Sequence, residues 1–416
     1  MKAKIKLDKY INNCINISGS KNSSLPIICA SILCDEIVIL KNVPLISDVF
    51  LLINILKDIG YQLVLNKEDH TLTIYPSIIN KKYFHNSKIT KLRGSYYLIG
   101  CLIAKNNKSD FSFLHPGGCK LGTRPINYHI NAFKNMGLDI KTNNKVIKVK
   151  GQIHECIHYL DYPSVGTTIN IILASSKLEK ESIIYNASIE PEVIDLCEFL
   201  KSMGVNITIT NRIIKIKGNK YLSSTKYKIM EDRIEAGTFL ILGALHQGIT
   251  VNNINPSNLS FLTDLLISCG YKLKITSNSI TLLPFKKEDI LPFNITLEPH
   301  PGFPTDLGPL MCVLASQING ISYIKETVFK DRFSHIDELK KMNIDISLNN
   351  NTIIIKGISN VCNSQIKAQD LRCAASLLLS ASISSELSTI ENIDYLFRGY
   401  ENIKYKLASL GIDFTI

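Results

Sequence analysis

Hydrophobic and polar positions along this chain follow a pattern that recurs. Helical runs close at Leu56-Lys-Asp-Ile-Gly60, Phe133-Lys-Asn-Met-Gly137, Leu200-Lys-Ser-Met-Gly204, Leu266-Ile-Ser-Cys-Gly270, Leu339-Lys-Lys-Met-Asn343 and Leu407-Ala-Ser-Leu-Gly411, at intervals of 66 to 77 residues. After each closure the apolar residues fall on every second position, as in DIKTNNKVIKVKG and NITITNRIIKIKG. That is the period of a half-buried strand, and the Asn-rich centre of each segment predicts a turn between two strands. The closing residue is Gly five times and Asn once, the types that enter the left-handed conformation of a helix end at least cost. Ahead of each copy lies a short helix, apolar on nearly every side: PIICASILC, YYLIGCLIA, INIILAS, FLILGAL, LMCVLAS and ASLLLSAS. Such helices belong in an interior, and strands such as IVILKNV and SIIYNAS follow them. The unit is therefore helix, strand, helix, hairpin, and the fold class is α/β.

Six units make two domains of three, which suits 416 residues better than a single core does. The break is expected in the polar stretch KYLSSTKYKIMED, between Gly218 and Asp232. The segment 1–20 precedes the first small helix, and the last copy stops at DFTI after one strand. The N-terminal strand is thus expected to complete the C-terminal half. The expected domains are 21–229, and 1–20 together with 230–416, with the site in the cleft between them because ligands favour such interfaces.

Composition narrows the class. A hydrophobic share of 45% excludes a disordered chain. Eleven cysteines, an odd number with scattered spacing and no C-x-x-C pair, do not read as a disulfide framework. The start MKAKIKLDKYINNC lacks a signal-peptide pattern, and no uninterrupted apolar run reaches about 18 residues. A reducing, cytoplasmic setting is expected, with most cysteines serving as small buried hydrophobes. The net charge of +11 first suggests nucleic acid. The 40 lysines, however, are spread along the chain, in the company of abundant Ile and Asn, as AT-rich codon usage would give. Neither nucleic acid nor membrane insertion is therefore expected, and a monomer is the default assembly. The seven arginines are more informative: Arg93, Arg124, Arg212, Arg233, Arg332, Arg372 and Arg398. In a chain that uses Lys so freely, they mark places where a planar, always-charged fork meets an anion.

Several segments carry more chemistry than a turn needs. Gly19-Ser20-Lys21-Asn22 opens the first small helix, where backbone N–H groups and an ammonium can meet an anion; an ordinary capped helix is the plainer alternative. His115-Pro-Gly-Gly-Cys119-Lys-Leu-Gly-Thr-Arg124-Pro is a glycine-rich loop suited to a lid. It sets a thiol beside two cations, which favour thiolate and make Cys119 a candidate proton carrier. The segment from Glu298 to Asp306, rich in proline, ends in a carboxylate just before the fifth small helix. Asp306 is a candidate general base and, with Thr305, a candidate helix cap, and the two roles are compatible. Asp232-Arg233, Asp331-Arg332, Asp370-Leu-Arg372 and Asp394 to Arg398 each place a carboxylate near an arginine.

Taken together, SGSKNSSLPI, NVPLISD, LRGSYYLIG, PGGCKLGTRP, SVGTT, EPEVID, EDRIEAGTF, PHPGFPTD, ETVFKDRFSHIDEL, DLRCAASL and FRGYENI resemble the UDP-N-acetylglucosamine 1-carboxyvinyltransferases. The likeness runs from residue 18 to 404 in the family's order, and PGGCKLGTRP with PTD is its most diagnostic part. It implies a two-domain inside-out (inverse) α/β barrel of six units. It also implies transfer of enolpyruvate from phosphoenolpyruvate to the 3'-hydroxyl of UDP-N-acetylglucosamine, at the entry to peptidoglycan precursor synthesis, with no metal or organic cofactor. By position, Lys21 and Asn22 match phosphoenolpyruvate contacts. Arg124 and Arg398 match the phosphate-side and carboxylate-side arginines, with Arg332 and Arg372 alongside. Cys119 matches the proton donor to C3, which further implies alkylation by the epoxide phosphonate fosfomycin. Asp306 matches the base near the sugar hydroxyl. Arg93, Arg124, Pro125, Ile126, Asn127, Tyr128, Ser164, Val165 and Val328 match contacts to the nucleotide sugar; Arg233 and Asp370 join the substrate-binding set. Tyr162 stands where the family usually has a basic residue, Asn127 where Asp is common, and Ser replaces Ala in SKNSS. Arg212 alone among the arginines falls in none of these motifs.

Overall fold

The computed structural model of the 416-residue chain describes residues 1–77, 83–106, 108–117, 126–143, 145–384 and 386–416. All six helix-closing residues adopt positive φ: Gly60 107°, Gly137 101°, Gly204 99°, Gly270 106°, Asn343 62° and Gly411 76°. Each turns the chain out of a helix and into a strand, the use for which left-handed residues are placed at helix ends. Among the described residues the strands form six four-stranded sheets of one plan. A short edge strand pairs parallel with the strand that follows the apolar helix, and the hairpin then extends the sheet antiparallel. In one sheet the order is Ile157–Tyr159, Glu181–Tyr185, Ile213–Lys217, Asn206–Thr210. The leading edge strand is absent from the sequence reading because three residues carry too short a period to register.

The chain divides into two compact units: Met1–Ser18 with Glu231–Ile416, and the described residues from Gly19 to Met230. Within the first, strand Lys2–Leu7 lies between Ser388–Glu391 and Ile412–Thr415 and takes the place that a second hairpin strand holds in the other sheets. Strand Cys14–Asn16 supplies the parallel edge beside Ile249–Asn252. In the second unit the polar stretch contributes Thr225–Lys228, which pairs parallel with Val38–Lys41.

The apolar helices fill the interiors. Lys21–Ser31, Tyr97–Lys105 and Val165–Ser175 are buried over most of their length in one unit, and Arg233–Leu245, Gly308–Ala315 and Leu371–Ile383 in the other. The helices before the hairpins are one-sided: Ser47–Asp58 buries Val49, Leu52, Ile53 and Leu56 and leaves its other face to solvent. Each unit thus has its own hydrophobic core. Of the ten described cysteines, all free thiols, seven are buried, while Cys14 and Cys362 are exposed and Cys156 is intermediate. No helix of the described residues is long and apolar enough to cross a membrane.

Candidate active site

Every buried helix opens on, or beside, a residue that the sequence marks for chemistry. Helix Lys21–Ser31 begins with Lys21 and Asn22 behind Ser20, whose hydroxyl accepts from Ser23 N at 3.2 Å. Helix Tyr97–Lys105 follows the 3-10 turn Arg93–Tyr96. Helix Val165–Ser175 starts after Ser164, which accepts from Thr167 N at 3.4 Å. Arg233 heads helix Arg233–Leu245 behind Asp232, a carboxylate that receives Ile234 N at 2.9 Å and Glu235 N at 3.0 Å. Asp306 lies just ahead of Gly308–Ala315. Arg372 is second in Leu371–Ile383, and its own N–H, with that of Cys373, donates to Asp370 at 2.8 and 3.1 Å. Helix starts gather unpaired N–H groups and the positive end of the macrodipole, so these positions favour anions before any side-chain charge is added.

In the unit containing Met1, three motifs far apart in sequence meet at one carboxylate. Arg332 Nη2 lies 2.7 Å from Asp306 Oδ1, and Arg372 Nη2 lies 2.9 Å from Oδ2. The arginine side chains are 3% and 7% exposed and that of Asp306 26%, so the group is inset yet reachable. Burial alone would raise the Asp306 carboxyl; the charges of Arg372 and Arg332 outweigh it and hold the group far below the usual carboxylate range. The Nη1 atom of each arginine is anchored as well. Arg332 Nη1 donates to Thr305 Oγ1 at 3.2 Å, Thr305 donates to Glu326, and Glu326 Oε1 accepts Val328 N at 2.7 Å. Arg372 Nη1 donates to Tyr400 OH at 3.2 Å, which lies 2.8 Å from Thr238 Oγ1. Arg398, two residues before Tyr400, closes the 3-10 helix Ile393–Arg398. Asp370 Oδ2 accepts from Ser334 at 3.0 Å, and Arg233 lies 5.7 Å from the Phe261 ring centroid. The capping role for Thr305 and Asp306 does not hold. The N-cap position is Leu307, without a side-chain cap, because two buried guanidinium groups draw the carboxylate more strongly than helix-end amides do.

In the unit from Gly19 to Met230, Lys21 Nζ lies 2.9 Å from Asp48 Oδ2, with the side chains 12% and 6% exposed. Asp195 ties down the same helix start: Ser23 donates to it, as do Tyr227 OH at 2.6 Å and Met230 N at 3.2 Å. Burial pushes the Asp195 carboxyl up, and these three donors pull against it. Neither Asp48 nor Asp195 was singled out from the sequence, although both stand inside NVPLISD and EPEVID. Ile126 occupies the N-cap position of helix Asn127–Asn135, with Asn127 and Tyr128 exposed in its first turn. Tyr162 O accepts from Ser164 N at 2.7 Å, and Arg212 is structural, its Nη1 donating to Ala187 O at 3.3 Å. Cys119, Arg124 and Pro125 lie outside the described residues. No cluster of three or more His, Cys, Asp or Glu able to hold a metal occurs among the described residues.

Comparison with known proteins agrees with this chemistry. A profile of the EPSP synthase family, 3-phosphoshikimate 1-carboxyvinyltransferase, matches residues 5–407. UDP-N-acetylglucosamine 1-carboxyvinyltransferase of Halothermothrix orenii is 38% identical over 402 residues, 96% of this chain and 95% of that protein. The enzyme of the same name from Thermotoga petrophila is 36% identical over 403 residues, covering 95% and 94%. Among solved structures, the enolpyruvyl transferase NikO from Streptomyces tendae superposes with a TM-score of 0.90 at 21% identity, over 100% of this chain and 98% of that one. EPSP synthase from Acinetobacter baumannii gives 0.76 at 16% identity, over the full length of both. The chain belongs to the EPSP synthase family of carboxyvinyltransferases, among the UDP-N-acetylglucosamine 1-carboxyvinyltransferases.

Proposed function

We propose that this enzyme transfers the enolpyruvyl group of phosphoenolpyruvate to the 3'-hydroxyl of UDP-N-acetylglucosamine and releases phosphate, the step that commits the sugar to peptidoglycan. The observation that carries the reading is the grip of Arg332 and Arg372 on Asp306, a carboxylate base set among groups built for anions. Lys21, Asn22, Arg124 and Arg398 take the phosphoenolpyruvate, with Arg332, Arg372, Arg233 and Asp370 around it. Arg93, Pro125, Ile126, Asn127, Tyr128, Ser164, Val165 and Val328 take the nucleotide sugar. Cys119 gives its thiol proton to C3, so that C2 becomes electron-poor. The sugar oxygen bonds to C2 while its proton passes to Asp306. Loss of a C3 proton and cleavage of the C2–O bond to phosphate then give the enol ether. In the same reading each unit is an inside-out α/β barrel, with domains 21–229 and 1–20 plus 230–416. A cytoplasmic monomer acting on small molecules completes it.

Phosphate release tests the proposal. It should need both substrates, and omission of either should abolish it. Release with 3-phosphoshikimate in place of the sugar nucleotide would move the enzyme to the other named activity of its family; binding without release would leave a protein that keeps the fold and has lost the reaction. Cys119→Ala should lose at least about 100-fold in kcat, the usual weight of a positioned proton donor. Fosfomycin should add one equivalent to the wild type, and peptide mass mapping should find it on Cys119. An adduct elsewhere, or none, argues against this cysteine.

A further inference from the structure

One ring without an assigned role touches several stretches that the nucleotide sugar is read to use. Tyr96 ends the 3-10 turn Arg93–Tyr96 and is 5% exposed. The Arg93 guanidinium lies 5.5 Å from its ring centroid. The imidazole of His129 stacks on it, with centroids 5.4 Å apart and planes 16° from parallel. His129 is the third residue of helix Asn127–Asn135, directly after Asn127 and Tyr128. The Tyr96 hydroxyl hydrogen-bonds His115 Nδ1 at 3.2 Å, and His115 Nε2 meets Thr142 Oγ1 at 2.7 Å.

The far side of His129 is fixed by the third stretch. Gly100 N donates to Asn170 Oδ1 at 3.2 Å, which leaves the Asn170 amide nitrogen as a donor; it lies 2.9 Å from His129 Nδ1. That ring nitrogen must therefore be the acceptor, so the imidazole is neutral with its proton on Nε2. Burial first, and then the charge of Arg93, push its pKa down to about 4, so it stays neutral at working pH. Asn170 belongs to helix Val165–Ser175, and a Cβ at Gly166 would come within 3.0 Å of His129 Cε1. The imidazole thus lies against the backbone of the turn that Ser164 and Val165 begin. A cation over a ring and a stacked pair of rings each favour one geometry over others.

We infer that Tyr96 is a positioning residue for the nucleotide sugar: its ring fixes Arg93 directly and, through His129 and Asn170, sets the starts of helices Asn127–Asn135 and Val165–Ser175 relative to it. The inference rests on the functional reading above and deepens it. The effect is selective, because Lys21, at the start of another helix, is held by Asp48.

Titration calorimetry with UDP-N-acetylglucosamine, beside steady-state kinetics, tests it on the full chain. Tyr96→Leu should weaken binding of the sugar nucleotide and raise its KM about tenfold, the combined weight of a cation–π contact and a stack. The KM for phosphoenolpyruvate and kcat should stay within about twofold. Tyr96→Phe, which keeps the ring, should restore the affinity. Asn170→Ser, which frees His129 while sparing Tyr96, should shift the same KM in the same direction and serves in place of Tyr96→Leu if that variant does not fold. Unchanged sugar-nucleotide affinity in these variants, or an equal loss for both substrates, overturns the inference while leaving the functional reading in place. No binding of the sugar nucleotide by the wild type overturns both.

Discussion

As the proposed base, Asp306 is weakened by its own neighbours. Two guanidinium groups hold it ionised, and so ready to receive a proton, but they also lower its affinity for one. In the proposed reaction an incoming anionic group that draws Arg332 or Arg372 toward itself would return basicity to the carboxylate. Asp306→Asn should therefore do two opposite things. It should lower kcat about 100-fold or more, and it should bind phosphoenolpyruvate more tightly, because the arginines lose their resident counter-ion. The variant should also be less stable by about 3 kcal/mol, the scale for breaking a buried pair, and thermal melts should show phosphoenolpyruvate restoring more stability to it than to the wild type. Tighter binding is the decisive outcome; weaker binding would mean that Asp306 helps to hold the ligand. Asp306 itself was legible, because prolines and a helix start single it out. Its clasp was not, since Arg332 and Arg372 lie 26 and 66 residues further on and nothing in a local pattern says which polar side chains converge. Asp48, Asp195 and Tyr96 escaped for the same reason: periodicity reports which apolar positions face inward and is silent about inward polar ones.

At the level of elements, legibility followed the length of the signal. Six helix ends were marked by Gly or Asn, and all six take positive φ. The apolar helices had no polar face to offer solvent, and they are buried. The edge strands, three residues long in Ile157–Tyr159 and Gln365–Lys367, left no trace in the pattern. One connection runs against the local rules. Ile358, just after strand Thr352–Lys356, holds φ at 57° with its side chain 68% exposed. A β-branched residue is strained there, and exposure means that it gains little by packing. Ile358→Asn should stabilise the protein by about 1 kcal/mol, seen as a higher urea midpoint at an unchanged slope; Ile358→Val, equally branched, should not.

For the molecule as a whole, the titratable load lies in its histidines. His129 and His158 in one unit, and His246 and His335 in the other, are each pushed down to about 4, chiefly by burial. Their unfolded values lie near 6.5, so the unfolded chain binds protons first as pH falls. Folded-state pKa values below the unfolded ones make stability complete above about pH 6.5 and progressively lost from there toward pH 4. With two such groups per unit, the histidines of each unit should contribute a loss of about 3 kcal/mol per pH unit in the middle of that window. Urea midpoints recorded from pH 7 to 4.5 check this. A flat profile would mean that these imidazoles become charged without unfolding.

Strand Lys2–Leu7 carries a further consequence, in the order of synthesis. Its partners, Ser388–Glu391 and Ile412–Thr415, are made long after it, so during translation it waits with its hydrogen-bonding groups open to whatever passes. Lys2, Lys4 and Lys6 alternate with Ala3 and Ile5 along it and stay exposed in the finished sheet. Charges at that spacing repel a second nascent copy of the same strand. The lysines thus guard an adhesive segment for the whole interval in which the ribosome has yet to deliver its mate.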